Sequence, residues 1–186
     1  MKTLHIGFHE TMSGYYWDPL SPKLAGRCRC AENSCCSKKA IPVNLDELSS
    51  IETKKFEFTV DATAPIPKFV NSKSEDFMLT KLEGVVTMED ICEDLEIRNG
   101  ELLLDFFGNQ ELVYSFDFEA EGSTFYYQGQ KELSLKHPLY SMTTLGGEIY
   151  EKENGRLITP YLSECKFDLK DLPRFLFSFL QSLKVK

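Results

Sequence analysis

The sequence lacks the usual devices of nucleotide chemistry. There is no G-x-G-x-x-G run behind an apolar stretch and no phosphate-loop lysine. A G-x-S-x-G nucleophile elbow is also missing. The chain has only three His and six Cys, so any nucleophile–base pair would have to be assembled by the fold rather than by a local motif. Positive charge is short: 21 Lys and Arg stand against 29 Asp and Glu, a net charge of −8. A chain of that sign repels phosphate backbones, so nucleic acid is not an expected partner. No apolar window approaches the length of a membrane span. The opening residues, MKTLHIGFHETMSG, alternate apolar with polar instead of forming the apolar run of a secretory leader. The expected compartment is cytoplasmic, where thiols stay reduced.

What the chain does have is aromatic, with fourteen Phe and eight Tyr among 186 residues. Flat rings suit a pleated, half-buried surface. The most regular stretch is Leu95 to Leu133. It reads as four short strands joined by turns at Asn99-Gly100, Gly108-Asn109 and Glu121-Gly122-Ser123, residue types that reach positive φ at low cost. Leu112, Tyr114, Phe116 and Phe118 share one face, and Ser115, Asp117 and Glu119 share the other. A period of two means strands with one face on a core and one toward water.

The remaining chain extends this pattern. Residues 3–12 alternate as a first strand, with His5 and His9 on the solvent face, and Gly14 marks a bulge or turn before Tyr15, Tyr16 and Trp17. Residues 18–55 form a long irregular insertion, locally basic through Arg27, Arg29, Lys38 and Lys39. Phe56, Phe58 and Val60 point inward from a second strand over residues 56–61, and Phe77 to Met88 is a third strand bent at Gly84. Gly146-Gly147 reads as a turn, followed by a last hairpin around Asn154-Gly155 whose second arm Pro160 turns into an edge strand or bulge. Leu172, Phe175, Leu176, Phe179, Leu180 and Leu183 recur at helical spacing behind Asp171 and Pro173, predicting one helix at about 171–183. The sum is a single β-rich antiparallel domain over residues 1–186, a barrel or a sandwich, with one C-terminal α-helix on it.

Candidate chemistry is sparse. Cys28, Cys30, Cys35 and Cys36 form a C-x-C-x4-C-C cluster that soft Zn²⁺ or Cu⁺ could occupy, although the spacing is not that of zinc knuckles. Cys92 and Cys165 read as buried small apolar groups. The acidic run Glu89, Asp90, Glu93, Asp94 and Glu96 is the pattern of a solvated face. No other cofactor is expected.

A group of short motifs carries a family resemblance. They are Phe8, Glu10, Met12 and Gly14 in FHETMSG; Tyr127, Gly129 and Lys131 in FYYQGQKEL; Thr143-Thr144-Leu145; Gly155-Arg156-Leu157-Ile158; and an aromatic helical tail. In this order they resemble the accessory domain found beside flavin-dependent glucose-methanol-choline oxidoreductases, especially those like cholesterol oxidase. The resemblance covers roughly residues 4–183 and leaves out the Cys-rich insertion, which departs from the pattern. It implies association with lipid or sterol oxidation and a flavin-dependent oxidoreductase as partner. It implies no oxidase activity in this chain, which lacks the flavin-binding part.

On the residues themselves, Glu10 and Lys131 are placed to pair across the fold, and unlike charges in a partly buried site can hold a polar ligand head. The expected ligand-binding set is Glu10, Met12, Trp17, Tyr127 and Lys131, for a non-catalytic module that takes an apolar, lipid- or sterol-like molecule or a lipid-oxidising partner. A small enzyme on a lipid-like substrate would instead need Glu10, Lys131 or a His to converge in a pocket. Thiolate metal handling would need the Cys28–Cys36 loop.

Overall fold

The computed structural model describes residues 5–19, 52–65, 79–105, 110–132, 143–153, 156–158 and 160–167. Of these, 85% lie in strands. The expected helix at 171–183, the four clustered Cys, and the turns at Gly108-Asn109 and Asn154-Gly155 fall outside the described residues.

The strands are β1 (His5–Trp17), β2 (Lys54–Pro65), β3 (Leu79–Met88), β4 (Cys92–Glu96), β5 (Arg98–Asp105), β6 (Glu111–Ala120), β7 (Ser123–Glu132), β8 (Thr144–Glu153), β9 (Arg156–Leu157) and β10 (Tyr161–Phe167). Every pairing is antiparallel, and β10 bonds to both β8 and β1, so the sheet closes on itself. This decides for a barrel over a sandwich. The strands fill eight barrel positions, because β4 with β5 and β9 with β10 each act as one interrupted strand.

Following the register once round the barrel shows its size. Gly7 pairs with Thr63, then the row runs through Lys81, Glu101, Ser115, Gln128, Glu148 and Leu162 to Trp17, ten residues further along β1. A closed barrel of eight strands with that stagger tilts its strands by roughly 35–45° and encloses an interior that side chains can fill or one small ligand can share.

Three turn expectations are corrected. Asn99-Gly100 is not a hairpin loop but a bulge inside β5. Arg98 pairs with Asp117 and Glu101 with Ser115, so β5 carries one extra residue, with Asn99 at φ 50. The residue pair that suits a tight turn suits a bulge for the same reason, a cheap positive φ. Gly146-Gly147 is not a turn either, since both lie inside β8. Gly147 is small because a Cβ there would sit 2.6 Å from the Tyr127 hydroxyl. Gly14 lies in regular pairing within β1, where a Cβ would meet the Glu164 carbonyl oxygen at 1.9 Å. β1 therefore runs on through Tyr15, Tyr16 and Trp17, and β2 begins at Lys54, inside the range assigned to the insertion.

Other readings hold. Glu121 (φ 51) and Gly122 (φ 85) make a two-residue loop between Ala120 and Ser123. Gly84 sits inside β3, so close to β2 that a Cβ would lie 2.0 Å from the Thr59 carbonyl. Pro160 falls in the break between β9 and β10, and Cys165 is fully buried, but Cys92, expected to be buried as well, is only half-buried at the start of β4. The inward faces are those of the alternation: Phe56, Phe58 and Val60 on β2; Tyr114, Phe116 and Phe118 on β6.

The interior has two unlike ends. At the hairpin end, where the 89–91 and 121–122 turns lie, rings fill the barrel. The Tyr127 ring centre stands 4.8 to 5.5 Å from those of Phe56, Phe58 and Phe116, Phe58 lies 5.3 Å from Phe116, and Phe118 stacks on Phe125 at 5.2 Å. At the other end, where β7 finishes at Glu132 and β10 at Phe167, the described buried inward residues are mostly aliphatic, Val60, Ala62, Leu82, Leu102 and Leu145, together with Thr80 and the ring of Phe167. Glu10, Tyr114 and Lys131 share that end.

Candidate functional site

Alternation along β1 and β7 turns Glu10 and Lys131 into the barrel, at side-chain exposures of only 6% and 2%. They meet across the interior, with Lys131 Nζ donating to Glu10 Oε1 at 2.6 Å. Tyr114 on β6 donates its hydroxyl to the other carboxylate oxygen, Oε2, at 2.6 Å. Lys131 Nζ also lies 5.1 Å from the centre of the Tyr114 ring. The expected Glu10–Lys131 pair is thus present and tighter than its sequence placement required.

Burial sets the chemistry of the group. It pushes the Tyr114 phenol well above its ordinary range, and the Glu10 carboxylate beside it adds to the rise. Tyr114 therefore stays a hydrogen-bond donor. Two charges taken out of water gain little net stability from each other, yet deleting one alone strands the other at a cost of ~3–5 kcal/mol.

Tyr127 belongs to the ring end, but its hydroxyl leans along β7 over Gly129 and Gly147; a Cβ on those glycines would come within 2.3 and 2.6 Å of it. The Tyr127 phenol is also pushed well up, first by burial and then by Cys165 and Glu10, with the Ser163 hydroxyl easing the shift. Ser163 is near enough for that but outside hydrogen-bond geometry. The hydroxyls of Tyr127, Ser163 and Thr80 are buried without a hydrogen-bond partner among the described residues. Burial likewise drives the Cys165 thiol far up, and its Sγ faces the Phe56 carbonyl at 3.9 Å.

The sequence-derived set is thus partly assembled. Glu10 and Lys131 touch, Met12 is buried one inward step along β1, and Tyr127 reaches toward them from the ring end. Trp17 does not join them. It is seven residues from Glu10, ~23 Å of extended strand, at the hairpin end and on the other face of β1 by alternation. The sequence reading missed Tyr114 as a member. A signal existed: the two-residue loop at Glu121-Gly122 sets the β6–β7 register, which puts Leu112 opposite Lys131 and Tyr114 opposite Gly129. The inward Tyr nearest Lys131 follows from that count.

Elsewhere the chemistry is superficial. His9 Nδ1 lies 2.9 Å from Asp61 Oδ1 on the barrel exterior. Glu89, Asp90, Glu93, Asp94 and Glu96 are exposed, as a solvated face should be. Among the described residues no group of His, Cys, Asp and Glu is arranged to hold a metal, and no helix is long and apolar enough to cross a membrane. Comparison with protein-family models, curated proteins and solved structures finds no match to this chain.

Proposed function

We propose that this chain is a non-catalytic binding module for an apolar, lipid- or sterol-like molecule, seated at the Glu10–Lys131 end of the barrel. One observation carries the reading: rings crowd one end of the barrel, while the described lining of the other is mainly aliphatic, with Tyr114 and Phe167 as its buried rings. At the second end sits a polar group with unused hydrogen-bonding capacity. An apolar replacement of the ion pair would serve a purely structural core as well or better. The charges there neutralise one another, so no free nucleophile or base is presented, which favours binding over catalysis. Val60 and Leu102 expose nothing to solvent, so a ligand that reaches them must part the packing around them.

A second reading is docking beside a lipid-oxidising flavin enzyme, as the family resemblance implies. The exterior face around Tyr126 and Tyr150 favours it, with ring centres 6.4 Å apart and Lys152 5.1 Å from the Tyr126 centroid, because Tyr-rich patches recur at protein interfaces.

Native mass spectrometry of the purified chain, before and after incubation with a mixed lipid extract, separates these readings. Ligand binding gives a stoichiometric lipid-sized mass that disappears in the Glu10→Leu/Lys131→Met double variant. A bare chain mass at saturating lipid overturns the ligand reading and leaves docking, to be measured directly against a purified flavin oxidoreductase.

A further inference from the structure

The charge and hydrogen-bond balance of the buried cluster selects among apolar ligands. We infer that, if the ligand reading above holds, the site takes a neutral apolar alcohol or ketone and rejects both the matching carboxylate and the matching amine. Glu10 and Lys131 are a closed pair at 2.6 Å, with net charge zero. An anionic head placed beside them would bring one uncompensated negative charge into a barrel end whose other described lining is mainly apolar, with Val60, Ala62, Leu82, Leu102 and Leu145 among it. A cationic head would bring the opposite excess. Either is expensive away from water.

A neutral head has what the cluster lacks. An ammonium carries three N–H donors, and among the described residues Lys131 Nζ has one oxygen acceptor, Glu10 Oε1. Tyr114 spends its proton on Glu10 Oε2. The spare capacity is therefore mainly donor capacity on Lys131, with the partnerless hydroxyls of Thr80 at the same end and Tyr127 leaning toward it. A ketone or hydroxyl oxygen accepts from Lys131 without disturbing the ion pair. The aliphatic lining takes the hydrocarbon.

The test uses the intact chain and four probes of one chain length: decanol, 2-decanone, decanoate and decylammonium, titrated by calorimetry at neutral pH. Decanol and 2-decanone should bind at least ~10-fold more tightly than either ion, the ratio that ~1.4 kcal/mol of unrelieved charge would give. In Glu10→Gln the pair is opened, Lys131 is left uncompensated, and decanoate should become the tightest probe. Wild-type protein that binds decanoate as well as decanol overturns the inference, and this comparison needs no variant to fold. An unchanged order of probes in folded Glu10→Gln overturns it as well. Failure of all four probes to bind is a different result: it sinks the ligand reading itself, and this inference with it.

Discussion

The ring end and the ion-pair end of this barrel are built by the same strands and obey the same alternation, yet they hold together in different ways. At the ring end, Phe58, Phe116 and Tyr127 expose at most 1% of their surface and stabilise by area removed from water and by ring contacts. At the ion-pair end, Glu10, Tyr114 and Lys131 bond one another and leave Lys131 donors over, in a setting where well-packed apolar residues are often as stable or more so. The difference teaches that one end is made for stability and that the other carries a feature stability does not require.

That contrast can be broken directly. The largest effects should come from single truncations. Phe116→Ala empties the centre of the ring end and should lose ~3–5 kcal/mol in urea unfolding. Lys131→Met alone should lose a similar ~3–5 kcal/mol, because Glu10 is left buried and unpaired. The two ends then part company: Glu10→Leu combined with Lys131→Met should recover most of that loss. A double variant as unstable as the single would mean that the pair itself stabilises the barrel.

The two buried tyrosines sharpen the comparison at a smaller scale. Tyr114→Phe removes a hydrogen bond to a carboxylate and should cost ~1.5–3 kcal/mol. Tyr127→Phe removes a hydroxyl with no partner among the described residues, so its denaturation midpoint should stay or rise. Equal losses in the two variants would place an acceptor on Tyr127.

The smallest effect is alkaline. Burial raises the folded pKa of Tyr114 and Tyr127 above the ordinary 10.0. Their neutral forms are favoured by folding, so this contribution is whole below pH 10.0 and is lost as pH climbs from there toward the raised values. Tyr16, at the hairpin end, is pushed up to about 12 by burial and by Asp90 and adds in the same direction. Unfolding midpoints measured on both sides of pH 10.0 should fall with pH, by less in Tyr114→Phe than in the parent chain.

Much of this was legible in the residues. Alternation named the inward faces of β2 and β6, Glu121-Gly122 named its turn, and Glu10 and Lys131 were singled out as partners. Glycine was where the reading failed. Gly14 and Gly147 are small to admit a neighbouring backbone and the Tyr127 hydroxyl, and Asn99-Gly100 makes a bulge. A glycine's reason is its neighbour in space, which no local pattern contains. Trp17 failed for a related reason: proximity in sequence to Glu10 and Met12 became distance along one continuous strand.

The sequence by itself determined that the chain is antiparallel β, which faces turn inward, and that one carboxylate and one ammonium are carried there, because a period of two and the chemistry of each side chain are local properties. Only the tertiary structure decided that the sheet closes through β10, that the stagger is ten residues, and that Glu10, Tyr114 and Lys131 converge while Trp17 does not. Closure and stagger depend on the sum of every strand register around the ring, a quantity that belongs to the barrel and to no single stretch of chain.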